Sequence, residues 1–326
     1  MSHRTIVFVI ILFITSGNYE SAVAQQTSGL FASFNRYTSA SQASLGSSLL
    51  SMGSAAVIFV NPAGMQYLEN TQLSFTYLKL EPKLDQNFMT YAITKRFGEK
   101  FSMGIGGISY SVNNIEGYNS IAEFTEMHSL SEWLAIVSFS TSVVRPFSIG
   151  LNLKTASIDI SGDLGLNEVA YAVDFGFTYQ QSNWFLLSMS TQSPFLLNDD
   201  ERSLPRLRSS IEIDLPFPKR NQGSALQVTT STQTEFGHWS TGFVGIHAKY
   251  PVAKNIMIYA NGRTPAFLLL TSAVTDDSQN FEPMESWGIG CGIIISMGLD
   301  FNLKLETAYL AEKYFNQLVS TIELIK

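Results

Sequence analysis

Val169-Ala-Tyr-Ala-Val-Asp-Phe-Gly-Phe-Thr-Tyr-Gln180 carries two alternating sets of residues. The odd positions are Val169, Tyr171, Val173, Phe175 and Phe177; the even ones are Ala170, Ala172, Asp174, Gly176 and Thr178. A period of two makes this a strand with unlike faces, one greasy and one small or charged. Met297 to Tyr309 repeats the pattern, with Leu299, Phe301, Leu303 and Leu305 against Asp300, Asn302, Lys304 and Glu306. Two-sided strands of this length suit a wall between lipid and water. A soluble β-sandwich also alternates, but its strands mostly run about 5–6 residues. Repeated runs of about 10 residues favour a spanning barrel. The expected fold is therefore all-β, a transmembrane antiparallel β-barrel.

The start of the chain supports export. Arg4, the apolar run Ile6 to Ile14 and the small-residue site Ala22-Val23-Ala24 read as a signal peptide over residues 1–24, with the mature chain beginning near Gln25. An uncleaved anchor fits these flanks less well. No later segment offers the roughly 18 unbroken apolar residues of a membrane helix, so any crossing is made by strands. Cys291 is the single cysteine, which removes an intrachain disulfide and a lipoprotein anchor. Charged residues make up only 14% of the chain, below the soluble norm, and aromatics reach 12%. A net charge of −7 without a long Lys/Arg block argues against nucleic acid as a partner.

Residues 25–70 are rich in Ser, Ala and Gly and lack sustained alternation, so they read as an N-terminal plug segment ahead of a barrel over 71–326. About 14 strands are expected, an even number as in bacterial barrels. They begin near Gln72, Asn87, Phe101, Glu132, Phe147, Val169, Trp184, Arg206, Ser224, Thr241, Asn255, Glu285, Met297 and Gln317. Links after even strands are mostly short and turn-forming, as at 96–100, 144–146 and 251–254. Links after odd strands are often longer and acidic, as at 113–131, 161–168, 193–205 and 264–284. The first set fits periplasmic turns and the second outer loops. Trp133, Trp184, Trp239 and Trp287 fall at or just before expected strand starts, where indoles form an interfacial girdle.

The charged positions on the small face are Lys154, Asp174, Arg206, Arg208, Glu212, Asp214, Asp300, Lys304 and Glu306. Facing a lumen, such groups need water or partners. They fit a salt-bridge network that braces the interior and holds the N-terminal segment, or a ligand or ion path. Arg206 and Arg208, two apart, point the same way and form the best anchor for a carboxylate. Catalysis has little support: His128, His238 and His247 lack metal-ligand spacing, and no cofactor is implied. An outer-membrane lipase or protease is the enzymatic alternative. Gly104, Gly106 and Gly107 lie mid-strand, where they allow a bend or close approach of the plug. In Asn61-Pro62-Ala63-Gly64, proline fixes φ, Asn starts turns and Gly permits positive φ, so the chain turns sharply just before the first strand. Two expected outer loops carry apolar clusters, Phe195-Leu196-Leu197 and Phe267-Leu268-Leu269, which either contact a partner or fold in to cap the mouth.

Leu45-Gly46 leading to Asn61-Pro62-Ala63-Gly64-Met65, followed at once by an alternating strand, resembles the N-terminal signature of the PorV/PorQ proteins. It is also similar to that of the related fatty-acid transporters of the FadL type. Phe147-Ser-Ile-Gly-Leu-Asn-Leu-Lys154 and Tyr171 to Tyr179 look like middle strands of the PorV group. The chain departs from the family in having fewer glycines over Leu45 to Gly53 and no terminal aromatic. The resemblance implies a 14-stranded barrel with an N-terminal plug. For the PorV/PorQ group it implies a non-catalytic role in type IX secretion. There the barrel binds secreted cargo through C-terminal signal domains and meets translocon or attachment subunits in the outer-membrane lipid. For the FadL group it implies passive uptake of hydrophobic small molecules through a gated lumen.

Overall fold

The computed structural model describes residues 38–45, 53–68, 71–79, 85–118, 124–144, 146–161, 166–182, 185–192, 206–216, 225–235, 241–253, 255–265, 287–297, 301–311 and 316–326. A short helix α1 (Ala40–Leu45) and two 3-10 turns, Ala55–Phe59 and Pro62–Tyr67, come first. The strands are β1 (Thr71–Lys79), β2 (Asp85–Phe97), β3 (Phe101–Tyr118), β4 (Phe124–Val144), β5 (Phe147–Ile160), β6 (Leu166–Ser182) and β7 (Phe185–Gln192). They continue with β8 (Arg206–Pro216), β9 (Ala225–Glu235), β10 (Thr241–Ala253), β11 (Ile256–Pro265), β12 (Trp287–Ser296), β13 (Asn302–Ala311) and β14 (Asn316–Ile325). Each strand pairs antiparallel with its sequence neighbours, and β1 closes against β14. Closure leaves the sheet without a free edge, which a wall in lipid requires.

The alternation seen in the sequence maps onto the two sides of this wall. On β2, Phe88, Thr90, Ala92 and Thr94 are buried inside, whereas Met89, Tyr91 and Ile93 face out. On β6, Ala170, Ala172, Asp174 and Thr178 are inside, and Val169, Tyr171, Val173 and Phe175 are outside. Tyr91 is 53% and Tyr171 62% exposed, members of an apolar belt that also takes in Leu73, Phe75, Ile105, Ile149, Ile258, Leu305 and Ile322. An apolar surface of that extent is a lipid-facing surface.

Most strands begin within a few residues of the positions expected from sequence, with two corrections. β4 starts at Phe124 rather than Glu132, because 124–128 continues to pair with 115–118 of β3 past the end of the β4–β5 ladder. The polar residues there hide the alternation. Trp133 consequently sits inside β4, facing out, rather than at its start. β13 starts at Asn302 rather than Met297, because the Met297 amide donates to the Phe301 carbonyl and closes a turn. Trp287 opens β12, while Trp184 and Trp239 lie outside the described residues. At the β2–β3 turn, Gly98 takes φ +68°, and Arg96 donates to the carbonyls of Gly98 and Glu99 at 3.1 and 3.2 Å.

Candidate functional site

The N-terminal segment lies inside the barrel against two stretches of wall. Its second part, Ala55 to Leu68, rests on β1 to β7, while Ser54 reaches β14. Short 3-10 turns leave carbonyls without intrahelical partners, and wall side chains supply the donors. Asn152 Nδ2 donates to the Ile58 carbonyl at 2.8 Å, Ser190 Oγ to Val60 at 2.7 Å and Ser102 Oγ to Met65 at 3.3 Å. Gln66 Nε2 donates to Ser140 Oγ at 3.0 Å, and the Tyr67 and Thr178 hydroxyls share a bond of 3.1 Å.

Asn61 caps the second 3-10 turn. Its side-chain oxygen accepts from the Ala63 amide at 3.0 Å, while Nδ2 donates at 3.2 Å to both the Phe177 and Met189 carbonyls on β6 and β7. The Asn61-Pro62-Ala63-Gly64 turn is thus fastened to the wall by its first residue. Glycines make room for it. A Cβ on Gly150 would strike the Pro62–Ala63 peptide, and one on Gly176 would strike the Asn61 side chain. Gly104 and Gly106 do the same for Ile58, whereas Gly107 faces out beneath the Tyr91 ring. Close approach therefore explains two of the three mid-strand glycines. Replacing Asn61 with Ala removes three hydrogen bonds, so the segment should lose about 2–4 kcal/mol of seating. Faster proteolysis of 54–68 in a correctly folded N61A barrel would register the loss.

Among the described residues, the charged positions picked out by sequence fall into two separate groups. Lys154 on β5 and Asp174 on β6 form a buried ion pair of 2.8 Å, with Asn152 Nδ2 also 3.3 Å from Asp174. Far around the wall, Lys304 and Glu306 on β13 are 2.7 Å apart, and Lys304 also reaches Glu323 on β14 at 3.0 Å. The Ser41 and Tyr259 hydroxyls donate to Glu306, and the Ser54 hydroxyl donates to Glu323. Thr321 Oγ1 accepts from the Ala40 amide at 2.8 Å, completing the seat of α1. Glu323 is absent from the charges picked out by sequence, although the inward series Val319, Thr321, Glu323 on β14 has the same period of two. Arg263 is also buried in the lumen, beside Gly288, where a Cβ would strike the Ala43 carbonyl of α1. His247 is buried and bonded to Asn261.

Arg206, Arg208, Glu212 and Asp214 lie on β8, where Arg208 is in register with Ser190 of β7 and Gln233 of β9; their side chains lie outside the described residues. Asp300, Phe195 to Leu197 and Phe267 to Leu269 also lie outside them, as do residues 1–37. Among the described residues, no three His, Cys, Asp or Glu side chains gather as metal ligands.

Towards the long-loop end, the inner wall changes character. Leu78, Phe88, Tyr110, Glu132 and Ile158 form one ladder row across β1 to β5. The next row inward runs Thr76, Thr90, Ile108, Leu134, Ala156 and Ala170. Val319 and Ala308 extend the Leu78 row over β14 and β13, with Leu310 two residues further on, whereas the Thr76 row continues into Thr321 and Glu306. With Val112 and Ile136 these residues pack into one buried apolar cluster that reaches Ile58, Phe59 and Val60 of the N-terminal segment. Towards the short-turn end the inner residues are Thr94, Ser102, Ser138, Ser140, Ser148 and Thr178, three of which bond the second 3-10 turn. Over β2 to β6 the inner wall is thus mainly apolar towards the long-loop end and hydroxylic towards the short turns, and the segment packs against both.

No family model matches the sequence, and no curated protein matches it. Among solved structures, the chain is similar to the toluene transporter TbuX of Ralstonia pickettii, at 11% identity and TM-score 0.60, covering 89% of this chain and 98% of that one. It is also similar to the toluene transporter TodX of Pseudomonas putida, at 10% identity and TM-score 0.57, over 89% and 96% of the two chains. A FadL homologue of Pseudomonas aeruginosa matches at 9% identity and TM-score 0.57, over 88% and 97%. At such identities the likeness is one of fold: this chain shares the β-barrel fold of these outer-membrane proteins.

Proposed function

We propose that the protein is an outer-membrane channel for hydrophobic small molecules, exported by residues 1–24 and closed by its N-terminal segment acting as a plug. The observation that carries this reading is the apolar inner wall of Phe88, Tyr110, Ile108, Leu134 and Ile158 running down to Ile58 and Phe59. A wall of this kind takes up apolar solutes by removing their surface from water. The apolar exterior supports residence in lipid, and the structures of like fold named above include two toluene transporters. The secretion role rests on the PorV/PorQ resemblance and on the clusters at Phe195 to Leu197 and Phe267 to Leu269, which lie outside the described residues.

Uptake of radiolabelled toluene and of a long-chain fatty acid by cells lacking their own transporters tests the proposal. The wild-type barrel should raise uptake of at least one above an empty-vector control. Ile108→Asp with Leu134→Asp places two charges on the path, and uptake should fall at least about tenfold, since a barrier increase near 1.4 kcal/mol suffices. Wild-type cells that take up neither solute above control would sink the reading.

A further inference from the structure

We propose that Lys304 is the positioning residue of a latch that holds both parts of the N-terminal segment closed, an inference that rests on the plugged-channel reading above. Lys304 is 1% exposed and stands between two buried carboxylates, Glu306 at 2.7 Å and Glu323 at 3.0 Å. Each carboxylate grips a different part of the segment. Glu306 accepts from Ser41 in α1, and Glu323 accepts from Ser54, the cap of the first 3-10 turn. Ser54 in turn accepts from the Ala56 amide at 3.1 Å, so the start of that turn depends on the same contact. One ammonium thereby fixes two acceptors, and two acceptors fix two places in the chain that are thirteen positions apart in sequence, 41 and 54.

The register explains why one lysine reaches both acids. Lys304 pairs directly with Glu323 across β13 and β14, and Glu306 follows Lys304 by two on the same inward face. Tyr259 adds a hydroxyl to Glu306 from β11, and Thr321 and Ser74 lie alongside. Removing the ammonium would leave two like charges together in a site with little water, and breaking one partner out of a buried ion pair is strongly unfavourable. Water entry between carboxylates and segment relieves that repulsion, and it separates Ser41 and Ser54 from the wall. The other seat, at Asn61, Asn152 and Ser190, is untouched by the change and still holds Ile58 and Val60, so the loosened part is α1 and the start of the first 3-10 turn at Ser54 rather than the whole segment.

Planar bilayers of phosphatidylethanolamine and phosphatidylglycerol carrying the full chain read the latch as ion conductance. K304M should raise conductance at least about tenfold over wild type. K304M/E306Q/E323Q, with no charge left to repel and amides able to bond the serines, should return to wild-type closure. S41A/S54A keeps the charged trio and removes both grips together with the Ser54 cap, so it should also leak even if K304M does not fold. Wild-type closure in K304M or in S41A/S54A, or a folded triple variant as leaky as K304M, overturns the latch. Because conductance needs no hydrophobic solute, leak and resealing in a protein that carries neither toluene nor fatty acid would keep the latch and discard the transport reading.

Discussion

A side chain at Gly150 should unseat the Asn61 to Gly64 turn. The wall glycine lies directly under the Pro62–Ala63 peptide, and the atoms a Cβ would meet are backbone, which cannot rotate away as a side chain tip can. Overpacking in a dense interior costs typically about 1–3 kcal/mol, and more when the neighbour is rigid. Gly176 presents the same situation to the Asn61 side chain. The Gly150→Val, Gly176→Val variant should therefore keep a closed barrel, since both residues sit in regular ladder positions on β5 and β6, but lose the seat of the second 3-10 turn. Limited proteolysis cutting within 54–68, together with raised ion leak, is the expected outcome. Gly262→Ala is the control, because the nearest atom to its Cβ is the Gly288 carbonyl at 4.0 Å. Equal protease resistance in the Gly150/Gly176 variant and the control would show that the wall glycines do not set the approach.

Lys154→Met should cost the barrel about 3–5 kcal/mol, the usual penalty for leaving one member of a buried ion pair uncompensated. Asp174 is 2% exposed, and Asn152 Nδ2, 3.3 Å from it, is already committed to the Ile58 carbonyl at 2.8 Å. The loss should appear as a lower urea midpoint for unfolding from detergent micelles. Lys154→Met combined with Asp174→Asn should recover most of it, because neither partner is then a buried charge. A single variant within about 0.5 kcal/mol of wild type would mean that water or another group already compensates Asp174.

The two ionic groups differ in how far they can be read from the chain. Lys304 and Glu306 are two apart on one strand, so a period of two places them on one face without knowledge of any neighbour. Lys154 and Asp174 sit on adjacent strands at offset positions, since Asn152 rather than Lys154 pairs with Asp174. Their side chains meet diagonally, which only the register reveals. Glu323 carries the same local signal as Glu306 but becomes a partner of Lys304 only when β14 aligns with β13. Ser41 and Ser54 have no local signal at all: nothing in a Ser-rich stretch distinguishes the hydroxyls that meet carboxylates more than 260 residues away.

Local chemistry by itself determined the barrel: alternation over strand-length runs, too little continuous apolar sequence for a helix to span a membrane, and turn residues between the runs. Those properties belong to each segment alone, because the pleat sends successive side chains to opposite faces whatever the partner strand is. It also determined that the chain turns sharply at Asn61 to Gly64, since proline and asparagine act on their own backbone. Only the tertiary structure decided what that turn rests on, which charges meet, and that an apolar inner wall at the long-loop end gives way to hydroxyls towards the short turns. Those features depend on the register of strands distant in sequence, and a one-residue slip would exchange every inner residue for an outer one.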